Sequence, residues 1–380
     1  MKHLSTLALA GVLLCGLGAE AISQTQQAPM APPTPSAEAT LLPVAVSPSD
    51  PHIRYIGRFD TSDAAGPRCA WTASSVELRV QGSALNVRLA DGSSNRYEVF
   101  VDGRPASVLA TQTGTHLYRV FQAPQSGRHT LSLVKRTEAF FGTTQFQVFQ
   151  LPQGGKLLAL PPRPPRRIEV IGDSISCGYG NEAKNQYEHF SADTENGAMS
   201  YGAVAARDLD AEYVCIAWSG RKMWPNNTMP EIYDRTLPLD PKSRWDFSRW
   251  TPQAVVINLS TNDFNGGAPD RQGWTAAYEA FLTRVRSRYP KAILYCATSP
   301  MMGGKSYDIA KDYLTQIVQD KNTAGDKNVR LLVFETQDAK NGFGADWHPS
   351  LKTDAVMADK MATTLGHDLG WKIARQEQVP

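Results

Sequence analysis

A short proline-rich segment divides this chain into two halves that cannot share one kind of fold. Within residues 157–167 stand Pro161, Pro162, Pro164 and Pro165, and a ring that fixes φ and removes the amide donor continues neither a helix nor an inner strand. Residues 156–167 therefore read as a stiff linker, and the hydrophobic rhythm differs on its two sides. Before it, short runs alternate with period two, as in Val76, Leu78 and Val80 interleaved with Glu77 and Arg79. Further runs at 84–89, 97–101, 116–121 and 129–134 are parted by turn signals such as Asp91-Gly92 and Asp102-Gly103. Half-buried strands at this spacing predict a β-sandwich of jelly-roll type over residues 51–155.

After the linker the rhythm becomes strand then helix. Strands are expected at 168–171, 212–216, 254–259, 292–297 and 329–334, and helices at 198–209, 274–288, 307–319 and 351–365. This alternation predicts an α/β domain over 168–380, a parallel sheet with helices on both faces in three layers. Functional groups in such sheets gather at the carboxyl ends of the strands.

The chain begins Met1-Lys2-His3, runs apolar from 4 to 18 and continues Ala19-Glu20-Ala21. The run is shorter than the ~20 residues that span a bilayer, so residues 1–21 read as a signal peptide and the product as secreted or periplasmic. Residues 22–50, rich in Gln, Pro, Ala and Ser without apolar periodicity, read as a disordered tether. Export leaves Cys69, Cys177, Cys215 and Cys296, an even set that allows up to two disulfides. None of their spacings makes a metal-ligand pattern, so no metal and no cofactor is expected. A net charge of +2 over 380 residues argues against nucleic acid or an anionic membrane as partner; a neutral substrate and a monomer fit.

The strongest chemical signal is the apolar strand 168–171 followed by Gly172-Asp173-Ser174-Ile175-Ser176-Cys177-Gly178. A sharp exit from a strand exposes a hydroxyl beside unpaired backbone N–H groups, which suits an acyl-transfer nucleophile. Asp173 reads as the carboxylate that holds this turn. A serine hydroxyl needs a base, and neutral imidazole is suited to that near pH 7. Of seven histidines, His3 lies in the leader, His52, His116 and His129 in the β-rich half, His189 in a polar loop and His367 deep in the last helix. His348 remains, after the last strand and before the final helix.

Gly172-Asp173-Ser174 through Gly178 resembles the G-D-S-x-x-x-G block of the SGNH (GDSL-type) hydrolases. Ser219-Gly220 is similar to that family's second block, and Ser260-Thr261-Asn262-Asp263 to its third, with Ser260 where the family carries glycine. The resemblance implies an oxyanion hole formed by the N–H groups of Ser174 and Gly220 and the side-chain amide of Asn262. The family pattern D-x-x-H is departed from, because Ala345 stands three residues before His348 and the nearest carboxylate is Asp346. Either the Asp346 side chain reaches the imidazole from an altered turn, or a backbone carbonyl orients the ring of a Ser-His dyad.

A jelly roll, a linker, Gly172 through Glu182 and then Asp346-Trp347-His348-Pro349 together resemble carbohydrate esterase family 2. That resemblance implies removal of acetyl groups from xylan, glucomannan or related saccharides through an acetyl-Ser174 intermediate, without a metal. Aromatic faces suit sugar rings. Trp347 and Trp218 are accordingly expected at the substrate, with Trp224 nearby, and Tyr179 and Glu182 against its hydroxyls. Two other readings compete: an SGNH lipase or thioesterase acting on longer acyl esters, and a non-catalytic carbohydrate-binding protein.

Overall fold

The computed structural model describes residues 44–374. The expected leader and most of the expected tether lie outside the described residues. Within them the first half forms one antiparallel sheet of nine strands. They are β1 (Val44–Val46), β2 (Arg54–Ile56), β3 (Arg68–Cys69), β4 (Ser75–Asp91), β5 (Arg96–Val101), β6 (Arg104–Ala110), β7 (Gly114–Lys135), β8 (Thr144–Leu151) and β9 (Lys156–Leu158). The main path runs β1-β8-β4-β7-β5-β6, with β2 and β9 added to β4 and β3 to β8.

Where the apolar runs predict four separate strands, β4 and β7 are two long ones that pair along their lengths. Gly82 stands opposite Gly127, and the register shifts between Gly82 and Ala84 and again between Leu85 and Asn86. Gly82 and Gly127 mark bends rather than ends. A β-bulge flips which residues face inward. Val76, Leu78 and Val80 before the shift and Leu85, Val87 and Leu89 after it thus join one buried cluster with Tyr97, Phe146 and Phe149. The sheet so folded encloses its own core, as a sandwich does. β1 falls in the stretch expected as tether, pairing with Phe149, Gln150 and Leu151 of β8, and β9 falls in the expected linker, pairing with β4.

The second half is a five-stranded parallel sheet in the order β11-β10-β12-β13-β14. Its elements are β10 (Arg166–Gly172), α1 (Ser174–Cys177), α2 (Tyr201–Asp208), β11 (Ala211–Ala217), α3 (Met229–Ile232), β12 (Ala254–Asn258), α4 (Thr261–Phe264), α5 (Arg271–Arg288), β13 (Ile293–Ala297), α6 (Gly304–Thr323), β14 (Val329–Leu332) and α7 (Leu351–Leu369). Alternation along the strands sorts the two faces. Ile168, Val170, Val256 and Tyr295 pack with α2 and α7, while Ile171, Val255, Ile257 and Leu294 pack with α5 and α6. The three layers expected from the sequence are present.

The two halves meet through buried polar groups as well as apolar ones. Arg58, fully buried, donates to the carbonyls of Tyr233 and Arg235 and to Glu169 of β10. Glu169 also accepts from the Tyr233 and Tyr289 hydroxyls at 2.7 and 3.1 Å. A buried charge survives only when paired and hydrogen-bonded, so this cluster holds the sandwich on the sheet in one arrangement.

Candidate active site

The chain leaves β10 at Gly172 and enters α1 at Ser174. β10 lies between β11 and β12, so successive crossovers depart in opposite directions around it, opening a crevice at its carboxyl end. Asp173 caps α1, accepting from the Ile175 N–H at 3.1 Å. A Cβ on Gly172 would overlap the Ser176 hydroxyl, so only glycine permits so tight an exit. Asp173 is fully buried, and burial pushes its carboxyl up to about 7. Its placement is that of a turn-holding residue, as expected.

His348 reaches this turn from the loop between β14 and α7. Its Nε2 lies 2.9 Å from Ser174 Oγ, and its Nδ1 lies 3.1 Å from the carbonyl oxygen of Ala345. A carbonyl oxygen only accepts, so Nδ1 carries the proton and Nε2 presents its lone pair to the serine hydroxyl. Burial depresses the imidazole to about 4, against the opposing pull of the backbone carbonyl bonds and the Asp346 charge, so the ring is neutral at neutral pH.

Asp346 is where the structure decides between the two alternatives, against its side chain as the ring's partner. Asp346 and Trp347 both take left-handed backbone conformations, with φ of 50° and 66°, which cost L-residues free energy and persist only where surroundings impose them. Here the Ala345 N–H donates to Gly180 O at 2.9 Å, Asp346 N–H to Glu188 O at 3.2 Å, and Gln337 Nε2 to Trp347 O at 2.8 Å. The turn swings the Asp346 carboxylate outward, where it accepts from the Tyr179 hydroxyl at 3.0 Å and the Phe190 N–H at 3.1 Å and pairs with His189 at 2.8 Å. The carbonyl of Ala345, at the position where the family pattern has its aspartate, holds the ring instead.

The other expected residues divide. Gly220 has φ of 75° at the third position of a turn closed by the Arg221 N–H to Trp218 O, the conformation that a type II turn demands there. A Cβ on it would meet nothing within 4 Å, so open space lies above the turn. Asn262 Nδ2 donates to Arg221 O at 3.0 Å and lies 3.4 Å from Asp173 Oδ2, which ties the second and third motif loops to the first. Trp347 is 50% exposed beside His348. Trp218 packs against the core with the Arg221 guanidinium 4.6 Å over its ring, so that face is taken. Tyr179 stacks on the imidazole, ring centroids 4.0 Å apart, and so braces His348. Glu182, expected against substrate hydroxyls, accepts from Asn196 at 2.7 Å and pairs with Arg136.

With this geometry in place, comparison with known proteins is specific. Residues 55–161 match the family described as Carbohydrate esterase 2 N-terminal, and residues 170–355 match the GDSL-like Lipase/Acylhydrolase family. A solved family two carbohydrate esterase from Clostridium thermocellum, in complex with cellohexaose, is 41% identical with a TM-score of 0.82, covering 84% of this chain and 99% of that one. The chain belongs to carbohydrate esterase family 2. Among curated relatives, a cellulase/esterase CelE of Acetivibrio thermocellus is 40% identical over 85% of this chain, which spans 40% of that protein's length. An acetylxylan esterase / glucomannan deacetylase of Cellvibrio japonicus is 26% identical, over 86% of this chain and 91% of that one.

This family 2 chain also uses residues that its motifs do not announce. Glu138, from the sandwich, is fully buried and accepts from the Ser219 N–H at 2.6 Å and from the Ser219 hydroxyl. In sequence it ends the charged run Lys135-Arg136-Thr137-Glu138, which reads as a solvated strand end; nothing local marks it as buried. Glu138, Cys177 and Glu195 bring donor atoms within 4.8 Å of one another. Both Glu138 oxygens already accept from Ser219, and burial pushes the Cys177 thiol well up, so this is a hydrogen-bonded acid pair beside a neutral thiol. Cys69, Cys177, Cys215 and Cys296 are all buried and free, where the even count allows two disulfides. Among the described residues no helix is long and apolar enough to cross a membrane.

Proposed function

We propose that this protein is an exported esterase that removes acetyl groups from hemicellulose, xylan or glucomannan, through an acetyl-enzyme on Ser174. The Ser174 Oγ to His348 Nε2 distance of 2.9 Å, with Nδ1 locked by Ala345 O, carries the reading. As Oγ attacks the acetyl carbonyl carbon, its proton passes to Nε2 and the carbonyl electrons move onto oxygen. We assign that oxyanion to the N–H groups of Ser174 and Gly220, joined by the Asn262 amide once its longer contact, 3.4 Å to Asp173 Oδ2, is given up; each such donor contributes about 3 kcal/mol. Collapse breaks the bond to the sugar oxygen, which takes the proton from Nε2 and leaves. Water, deprotonated by the same nitrogen, then attacks acetyl-Ser174; the Oγ–acyl bond breaks, Nε2 returns the proton to Oγ, and acetate leaves. Ala345 O stabilises the transient imidazolium by its dipole, in place of a carboxylate.

Trp347 is the sugar-facing wall: it precedes His348 in the chain and is half exposed, with Tyr187 packed edge-on against it. The names of the relatives support acetylated xylan or glucomannan as substrate class, and the apolar stretch ahead of Ala19-Glu20-Ala21 supports export. The test is acetate release from acetylated xylan and glucomannan by the parent and by Ser174→Ala, with nitrophenyl esters of increasing chain length. Acetate release should vanish in the variant, and acetate should be preferred steeply over octanoate. Equal rates on octanoate would indicate a lipase, and no hydrolysis by the parent would indicate a binding protein.

A further inference from the structure

We propose that Glu138 of the sandwich is a positioning residue for the oxyanion hole, setting the turn that presents the Gly220 N–H; this rests on the esterase reading above. The turn runs from Trp218 to Arg221, and Ser219 occupies its second position. Both donors of Ser219, its N–H and its hydroxyl, go to the two oxygens of one carboxylate, so that carboxylate fixes Ser219 in place and orientation. The peptide that follows carries the Gly220 N–H. From the other side the turn is held by Asn227 Nδ2 to Gly220 O at 3.1 Å and Asn262 Nδ2 to Arg221 O at 3.0 Å. Glycine at the third position supplies the positive φ but no stiffness of its own, so the restraint comes from these side chains.

Both halves of the chain aim Glu138. Its own N–H donates to Glu195 Oε2 at 3.0 Å, and the buried Lys135 Nζ donates to its carbonyl at 3.1 Å and to that of Thr137 at 2.7 Å. Burial lowers the Lys135 ammonium, but its Nζ meets three acceptors, Thr137 O, Thr137 Oγ1 and Glu138 O, which supports the charged form. Burial raises both carboxyls, Glu195 well above its usual range, and both Glu138 oxygens accept from Ser219, which leaves Glu138 as the acceptor of the pair and the proton with Glu195. An uncompensated second anion so near a developing oxyanion would oppose the reaction. Neutral Glu195 and cationic Lys135 avoid that. The first domain thereby supplies a part of the second domain's catalytic apparatus.

The test compares the full chain with Glu138→Ala, Glu138→Gln and Ser219→Ala on 4-nitrophenyl acetate, an ester that needs no sugar contact. Glu138→Ala should lower kcat about 100-fold, the scale of losing one oxyanion donor, with KM within about threefold of the parent because ground-state binding does not use that donor. Glu138→Gln, whose amide oxygen still accepts the Ser219 N–H, should recover kcat to within about tenfold of the parent. Ser219→Ala should lower kcat about tenfold, and it decides the matter if Glu138→Ala does not fold. An inactive parent would defeat the esterase reading itself. A parent that is active, with Glu138→Ala within threefold in kcat, Glu138→Gln no better than Glu138→Ala, or Ser219→Ala unchanged in kcat, would overturn the positioning role.

Discussion

Replacement of Asp346 by asparagine tests how the histidine is held. In a triad where the carboxylate fixes the tautomer, this change costs ~10⁴ in rate. Here none of the three Asp346 side-chain contacts involves the His348 ring: Tyr179 and Phe190 donate to one oxygen and His189 pairs with the other. The His189 side chain is 92% exposed, so that pair is worth about 0–1 kcal/mol. The asparagine oxygen can still accept from Tyr179 and Phe190, and the Ala345 carbonyl, which does hold Nδ1, is untouched. A loss of about 1 kcal/mol corresponds to a fall of about fivefold. The assay is kcat/KM on 4-nitrophenyl acetate, normalised by titration of reactive Ser174, with melting temperature measured in parallel. A thousandfold loss in a variant that melts like the parent would refute the carbonyl-oriented ring and restore Asp346 to the catalytic set.

Three further outcomes follow from the same geometry. His348 must be neutral to act as base, and burial depresses it to about 4, so the acid limb of kcat/KM should lie near pH 4, with activity present above it and lost as pH falls through it; a limb at the ordinary histidine value would contradict the burial argument. If Trp347 is the sugar-facing wall proposed above, Trp347→Ala should raise KM on acetylated polysaccharide about tenfold and leave 4-nitrophenyl acetate nearly unchanged, because an aromatic face stacks on a sugar ring. Equal losses on both would place it in the acyl pocket. The four described cysteines should resist a thiol reagent in the native protein and all react after denaturation without reductant, because each is buried and free, with burial pushing Cys69, Cys215 and Cys296 up to about 12.

Local patterns along the chain encode its layout. The period-two runs, the prolines between 161 and 165 and the strand-helix alternation require a β half, a connector and a parallel α/β half, because side-chain direction follows from backbone period alone. Ser174 and His348 were legible for a similar reason: a strand-ending turn and a loop before the last helix both lead to the same edge of a parallel sheet. Contacts between distant segments emerge only in the folded chain. Two apolar runs in β4 and two in β7 are single bent strands because the register slips at Gly82 rather than the chain turning back. Asp346 stands next to the histidine in order yet faces away from it, since two left-handed residues, imposed by bonds to Gly180 and Glu188, rotate its carboxylate out. Glu138 reaches the Ser219 turn from 81 residues away. Hydrogen bonds between distant segments leave no periodicity behind, so a charged residue at a strand end looks the same whether water or a second domain will cover it.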